Sequence, residues 1–480
     1  MKILIIQLAR LGDLYMSWPI ARALKRVHPD ADIQFLARER FAAALDGLEC
    51  VQQVHKLHTP YIVEKLVNST AEGIDALGQL MDSLQSQKYD LVVNLSFSPL
   101  SSYFAHYIGL NASDVLGYNR FPDSSFALND HISSYYFSQV GIEKHNRFHL
   151  IDIFASLCNV ELLDEDFAYP VSFNFSSPIK DNYLTIQLGA SNQNKTLTPF
   201  IWARVIKNFL NSHLGYKIVL IGSKEELDLV PEIYAFNSHS DIINLVGKTT
   251  ISELFPILKN SALHVGGDSV CVQITNLTRT PCLNLSFENV KFWETGPRSK
   301  GSYVLLNIQP SHVESVEVAN AIRGIICKNP LPQLIEAVPN MPSYDLKFNL
   351  INDFEWGLVK AIYLNEPFPM TEDLIFFKGI EKLSQTNNLI IETLESARKS
   401  DVSKFVKILA SCDQAFVGIR TISPKVSVYI DWCLAEKIKV PPLTENEIVE
   451  SYLKVHNELK LLMRPYLLED NTQDEVKSHG

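Results

Sequence analysis

Lys2-Ile3-Leu4-Ile5-Ile6-Gln7-Leu8, then Arg10-Leu11-Gly12-Asp13, then a run carrying Leu14, Trp18, Ile20, Ala21 and Leu24 decide how this chain folds. The short aliphatic run reads as a buried strand, and Gly12-Asp13 closes it with a tight turn. The apolar residues that follow recur at three-to-four spacing with Pro19 near their start, which predicts one helix. His28-Pro29-Asp30 stops that helix, and Asp32-Ile33-Gln34-Phe35-Leu36-Ala37 is the next strand. Strand, helix, strand implies a parallel sheet with a right-handed crossover.

Working outward, the same alternation continues. Strands are legible at 53–57, at 91–95 and, more weakly, at 115–118, with helices over 70–87 and 101–109 and a closing helix over 145–158. After the Pro170 to Pro178 stretch it starts again. Strands over 183–188, 217–221, 242–245, 262–265 and 281–285 are predicted, with helices over 199–211, 224–235 and 252–259 and one more after Ser269. From about Leu331 the alternation gives way to helical periodicity alone, over 374–385, 389–399, 402–412, 426–437 and 445–463. The predicted organisation is therefore an α/β domain over residues 1–175, a second over 176–330, and an all-helical extension over 331–480. In doubly wound sheets, ligands bind beyond the carboxyl ends of the strands, so the site is expected in the cleft between the two lobes.

A chain of 480 residues exceeds one ordinary hydrophobic core, consistent with several domains. Its net charge of −11 argues against a nucleic-acid binder, which needs a basic face to neutralise phosphates. The seven cysteines are scattered and no CxxC pair occurs, so neither a zinc site nor a disulfide framework is expected. No run of about 18 apolar residues is present, and the N-terminal apolar run is too short for a signal peptide. The expectation is a cytoplasmic protein, at most peripheral to the inner face of a membrane, with no metal and no cofactor.

Four strand ends could carry chemistry. Asp13 is either a helix cap or a general base at the cleft mouth. Gly266-Gly267-Asp268-Ser269 is either a plain turn or a diphosphate cradle at a helix N-terminus. Gly189-Ala190-Ser191 with Lys195 is either a solvated loop or a phosphate-neutralising lysine. Gly222-Ser223-Lys224-Glu225-Glu226 is either a charged first helical turn or the ligand of a ribose diol. No GxGxxG fingerprint with its acidic partner is present, so an oxidoreductase is disfavoured.

Together these segments resemble the heptosyltransferase family, inverting glycosyltransferases of the GT-B fold that use ADP-heptose. The resemblance is carried by Leu11-Gly12-Asp13, Arg22-Ala23-Leu24-Lys25-Arg26, His28-Pro29-Asp30-Ala31-Asp32-Ile33 and Tyr89-Asp90-Leu91-Val92-Val93. In the second half it is carried by Leu188-Gly189-Ala190-Ser191, Lys195 and Leu220-Ile221-Gly222. Asn244-Leu245-Val246-Gly247-Lys248-Thr249, Val265-Gly266-Gly267-Asp268-Ser269, Thr280-Pro281 and Thr295-Gly296-Pro297 complete it. It covers roughly residues 1 to 325, and the helical extension has no counterpart in it.

The resemblance implies that Asp13 is the base on the acceptor hydroxyl and that Lys195 serves the donor phosphates and sugar. It places Ser191, Gly266, Asp268, Ser269 and Gln273 around the donor, with Glu225 (or its neighbour Glu226) on the nucleoside; Arg10, beside Asp13, is expected on the acceptor side. The donor would be a nucleotide sugar and the acceptor a lipid-linked oligosaccharide of the lipopolysaccharide core. A protein hydroxyl acceptor, or a catalytically silent sugar-nucleotide-binding protein, are the alternatives. Departures from the family pattern are Val270-Cys271-Val272-Gln273 where Gly-Pro-x-His is usual, Thr198 where Trp is usual, and Arg10 where a small residue is common. Gln273 can donate a hydrogen bond but carries no charge. A cation at Arg10 is expected to lower the pKa of Asp13.

Overall fold

The computed structural model describes residues 1–142, 145–173, 177, 179–190, 195–237, 239–287, 290–309, 313–331, 333–337, 353–398 and 406–467. The chain divides into two compact units. One comprises Met1–Ser96, Tyr107–Val115 and Arg147–Leu350; the other comprises Phe97–His106, Leu116–Asn146 and Ile351–Gly480. The helical extension thus shares a unit with two segments from the first third of the sequence.

The first unit holds two sheets. Strand β1 (Lys2–Gln7) pairs in parallel with β2 (Asp32–Arg38) on one side and with β4 (Leu91–Asn94) on the other, and β3 (Val51–Leu57) pairs with β2. The order β3-β2-β1-β4 puts a topological switch point between β1 and β4. Ile3, Leu4, Ile5 and Ile6 are all fully buried, each worth roughly 1.5–3 kcal/mol. The helix expected after β1 is instead two helices, α1 (Leu11–Met16) and α2 (Trp18–Val27). Pro19 cannot donate an amide to a continuing ladder, and the Ser17 hydroxyl donates to Asp13 O at 2.8 Å at the break.

The second sheet is β5 (Tyr183–Gln187), β6 (Lys217–Ile221), β7 (Ile242–Asn244), β8 (His264–Gly266), β9 (Cys282–Phe287), β10 (Tyr303–Ile308) and β11 (Ile335–Glu336). Its order is β11-β10-β9-β8-β5-β6-β7. All its pairings are parallel except β10 with β11. Here the switch point lies between β5 and β8. Leu184, Ile186, Leu220, Val265, Leu283 and Trp202 lie in its core. The closing helix of the front lobe, expected from residue 145, starts only at Leu150 and is α3 (Leu150–Leu157). Its cap is His149, whose Nδ1 accepts the Ile151 amide at 3.2 Å. The helix expected over 224–235 is a 3-10 turn (Lys224–Leu229) followed by α4 (Val230–Phe236). Behind the strand tips the two lobes meet through rings: Trp18 stacks on Phe255 at 5.8 Å, and Tyr15 and Phe173 close on the same ring at 5.5 and 5.0 Å.

In the second unit, Tyr118, Asn119 and Arg120 pair antiparallel with Leu128, Ala127 and Phe126. A short helix (His131–Tyr135) runs into a π-helical turn (Tyr136–Ile142). Helices Phe354–Leu364, Leu374–Ala397, Val406–Ile422, Ser427–Ile438 and Glu445–Met463 form the rest. The two helices expected over 374–399 are one over its described length. Asn387, at the expected break, is buried; its Nδ2 donates to His456 O at 2.8 Å and its Oδ1 accepts from His456 Nδ1, 2.6 Å away. Tertiary partners thus satisfy an amide that would otherwise interrupt the helix. The tail packs on the π-turn segment, with Ser138 Oγ 2.6 Å from Tyr363 Oη and Ser134 Oγ donating to Glu436 at 3.2 Å.

Candidate active site

Both switch points of the first unit carry the residues singled out from the sequence. At the front one, Asp13 is the third residue of α1, and its Oδ2 accepts the Arg10 amide at 2.9 Å. Asp13 is thus not the N-cap, which is Arg10, but the third helical residue, whose carboxylate reaches back to the N-cap amide. The neighbouring turn after β4 is tied in by the Leu8 amide, which donates to Ser96 Oγ at 2.6 Å. Burial raises the Asp13 carboxyl above its ordinary range, and the charge of Asp268 adds to the rise. The Arg10 amide and guanidinium pull the other way and lose. The expected effect of Arg10 is present, since its charge lowers the pKa, but desolvation of the carboxyl outweighs it. Arg10 itself is exposed at the N-cap of α1.

At the rear switch point, β8 ends in Gly266 and helix α5 (Val270–Thr278) follows. Asp268 sits between them. Its Oδ2 accepts from Lys195 Nζ at 2.8 Å and its Oδ1 from Thr295 Oγ1 at 2.8 Å. Both Lys195 and Asp268 remain about a fifth exposed, so the ion pair borders solvent. The Lys195 loop crosses directly over Gly267: a Cβ there would stand 2.3 Å from Lys195 O. Only glycine permits that approach. Ser269 is the N-cap residue of α5, yet its hydroxyl donates sideways to Gln187 Oε1 at 2.6 Å. The Ser269 side chain does not cap the first-turn amides of α5, and a helix start left uncapped by its N-cap residue suits an anion.

Of the two candidate glutamates, Glu226 lies at the strand tips. Its carboxylate stands where a side chain on Gly189 or Gly222 would be, about 2.1 Å from either hypothetical Cβ. Its Oε2 accepts the Ser223 amide at 2.9 Å, and burial raises its pKa. Glu225 is exposed, with its carboxyl held below the usual range by the Ser223 hydroxyl. Of the two, Glu226 is therefore the one at the strand tips. Glu226 is the third residue of this 3-10 turn, and its carboxylate reaches back to the Ser223 amide at the N-cap, which draws it toward the strand tips. Ser191 lies outside the described residues.

Gln273 is buried on α5, and its Nε2 donates to Thr295 O at 2.5 Å while its Oε1 accepts from Asn276 at 3.2 Å. Its Cγ lies 3.6 Å from the position of a Cβ on Gly12, so the front turn and the rear helix touch. Three residues that sequence reasoning missed hold this arrangement. Gln187 closes β5, and a polar residue ending an aliphatic strand was its one signal. Thr295 fixes Asp268. His149 donates from Nε2 to Gly296 O at 3.1 Å, bringing the 295–298 segment to the front lobe. Burial holds this histidine far below its ordinary pKa. Because Nδ1 is an acceptor, the proton is on Nε2. Among the described residues no three His, Cys, Asp or Glu side chains gather as metal ligands, and no helix is long and apolar enough to cross a membrane.

Residues 77–321 match the model of glycosyltransferase family 9 (heptosyltransferase). Lipopolysaccharide heptosyltransferase 3 of Escherichia coli K12 is 23% identical over 298 residues, which span 57% of this chain and 79% of that protein. Two solved structures share the fold. The E. coli heptosyltransferase WaaC with ADP has a TM-score of 0.52 at 14% identity, covering 69% of this chain and all of that one. The E. coli ADP-heptose lipopolysaccharide heptosyltransferase II has a TM-score of 0.50 at 17% identity, covering 68% and 99%. The two sheets are thus those of a GT-B glycosyltransferase. With the family model spanning just over half of the 480 residues, this chain belongs to glycosyltransferase family 9, the heptosyltransferases.

Proposed function

We propose that this protein moves heptose, or a related sugar, from an ADP-sugar to an acceptor hydroxyl in lipopolysaccharide core assembly, by a single displacement that inverts the anomeric centre. The observation that carries this reading is the meeting of an acid-bearing turn with an uncapped helix and its Lys195–Asp268 pair, Gly12 lying against Gln273. Asp13 takes the proton of the acceptor hydroxyl as its oxygen bonds to the anomeric carbon. The bond from that carbon to the diphosphate breaks on the opposite face. Lys195 Nζ and the first-turn amides of α5 receive the charge that develops on the departing diphosphate. Asp268, held by Thr295, orients the sugar hydroxyls, and Glu226 accepts from the ribose diol.

A raised pKa suits Asp13 to this task, since a base is most effective when its pKa approaches the operating pH. The names of the relatives, which include a structure with ADP and an ADP-heptose enzyme, support the adenine nucleotide. A lipid-linked acceptor would place the protein in the cytoplasm at the inner face of the membrane, and the diphosphate's charge would be met by protein groups without a metal. Calorimetry with ADP, followed by NMR of the product formed from ADP-heptose and a core oligosaccharide, tests the proposal. ADP binding and an inverted anomeric configuration are expected. Retention of configuration overturns the displacement, and failure to bind ADP overturns the donor.

A further inference from the structure

A cavity lined by three basic side chains lies at the other end of α5. The cradle is at the helix N-terminus; nine residues on, roughly 13 Å along the axis at 1.5 Å per residue, Arg279 ends the helix in the left-handed conformation with φ +57°. A cavity of about 230 Å³ opens there, lined by Arg279, Arg298, Lys300, Asn276, Phe167 and Asp164. Arg298 is only 6% exposed. Its Nη1 donates to Asp152 Oδ2 at 2.6 Å and its plane lies 5.7 Å from the Phe167 ring. Arg279 Nη2 donates to Asp164 O at 2.8 Å.

Three cations converge here against the carboxylates of Asp152 and Asp164. The carbonyl end of α5 contributes about half a negative charge, which does not reverse the balance. Two guanidinium forks and an ammonium are the donor set that recognises phosphate. Arg298 is held in place by its pair with Asp152 while it lines the cavity beside Arg279 and Lys300, so the cavity wall carries more positive than negative side-chain charge. We infer that this cavity binds a phosphate group, as free phosphate or as a monoester, and that its occupancy is coupled to the donor site.

The coupling has a physical route. The Arg298 amide donates to Asn276 Oδ1 at 2.6 Å, and Asn276 Nδ2 donates to Gln273 Oε1 at 3.2 Å. Gln273 Nε2 donates to Thr295 O at 2.5 Å, and Thr295 Oγ1 donates to Asp268 Oδ1. An anion that draws on Arg298 therefore acts on the segment that positions Asp268. The binding claim stands on the cavity alone; the coupling claim also rests on the donor reading of Asp268.

Thermal unfolding and calorimetry of the full chain test both, at constant ionic strength so that screening is not mistaken for binding. Saturating ADP fills the cradle while inorganic phosphate, glucose 1-phosphate or vesicles of phosphatidic acid in phosphatidylcholine are added. Stabilisation by the soluble phosphates is expected, and an Arg279→Ala/Lys300→Ala variant, whose two side chains are exposed, should lose it or bind at least about tenfold more weakly. Binding to the vesicles alone, lost in the same variant, would assign the phosphate to a lipid headgroup. No effect from any of the three, or an equal effect in the variant, overturns the site. The variant comparison can be made without ADP and without turnover, so its failure is distinct from failure of the proposed transfer. ADP affinity should change about fivefold or more with phosphate; an ADP affinity indifferent to phosphate overturns the coupling.

Discussion

The two switch points of the first unit are the same topological feature put to opposite uses. At the front, the helix after the strand caps itself: Asp13 accepts the Arg10 amide, so the local positive field is partly spent on a carboxylate of the chain. At the rear, the residue in the capping position turns its hydroxyl to Gln187 and does not cap its helix. Both turns carry a carboxylate, but the front one, Asp13, turns back to the amide at its own helix start, while the rear one, Asp268, is held by Lys195 and Thr295. The lesson is that a strand-turn-helix unit acquires a role from where a single capping side chain points, since the backbone dipole is common to both.

That contrast can be broken most severely at the front. Asp13→Ala should lower the turnover of sugar transfer by roughly 10²–10⁴-fold while ADP binding, measured by calorimetry, stays near normal. An equal loss of ADP binding would mean that the two turns are not functionally distinct. At the rear, Gly267→Ala puts a methyl into Lys195 O, and such overpacking costs about 1–3 kcal/mol. Donor affinity should fall by tens-fold, with thermal stability reduced in step; unaltered ADP affinity would remove the Lys195 loop from the cradle.

A smaller effect separates the two glutamates. Glu226→Gln should weaken ADP binding by about tenfold, the scale of one hydrogen bond to a charged group, whereas Glu225→Gln should leave it unchanged. The reverse ranking would return the role to Glu225. The mildest test is of pH. Arg10 pulls the Asp13 pKa down and Asp268 pushes it up. Arg10→Ala should therefore move the acidic limb of the pH–rate profile upward, and Asp268→Asn should lower the Asp13 pKa in a carboxyl NMR titration. Shifts of the same sign in both variants would show that the two turns do not share a field.

Much of the first unit was legible because buried parallel strands write themselves as unbroken aliphatic runs, as in Ile3 to Ile6 and Lys217 to Ile221. Helix limits were less so. Ser17 breaks a helix that the apolar spacing carries straight through, while Asn387 fails to break one because His456 satisfies it. Strand β10 and the helix Ser315–Ile326 went unread. The grouping of Leu116–Asn146 with the helical extension could not be read at all, since it depends on contacts between segments more than 200 residues apart, such as Ser138 with Tyr363.

Residue order alone determined that two doubly wound sheets form and that Asp13, Lys195 and Asp268 stand at strand ends, because hydrophobic periodicity and the glycine turns are local properties. Three-dimensional packing alone decided that Glu226 rather than Glu225 faces inward, that burial outweighs Arg10 at Asp13, and that Thr295 and His149 lock the rear turn. Side-chain direction and local dielectric are set by neighbours distant along the chain, and no short window of sequence contains them.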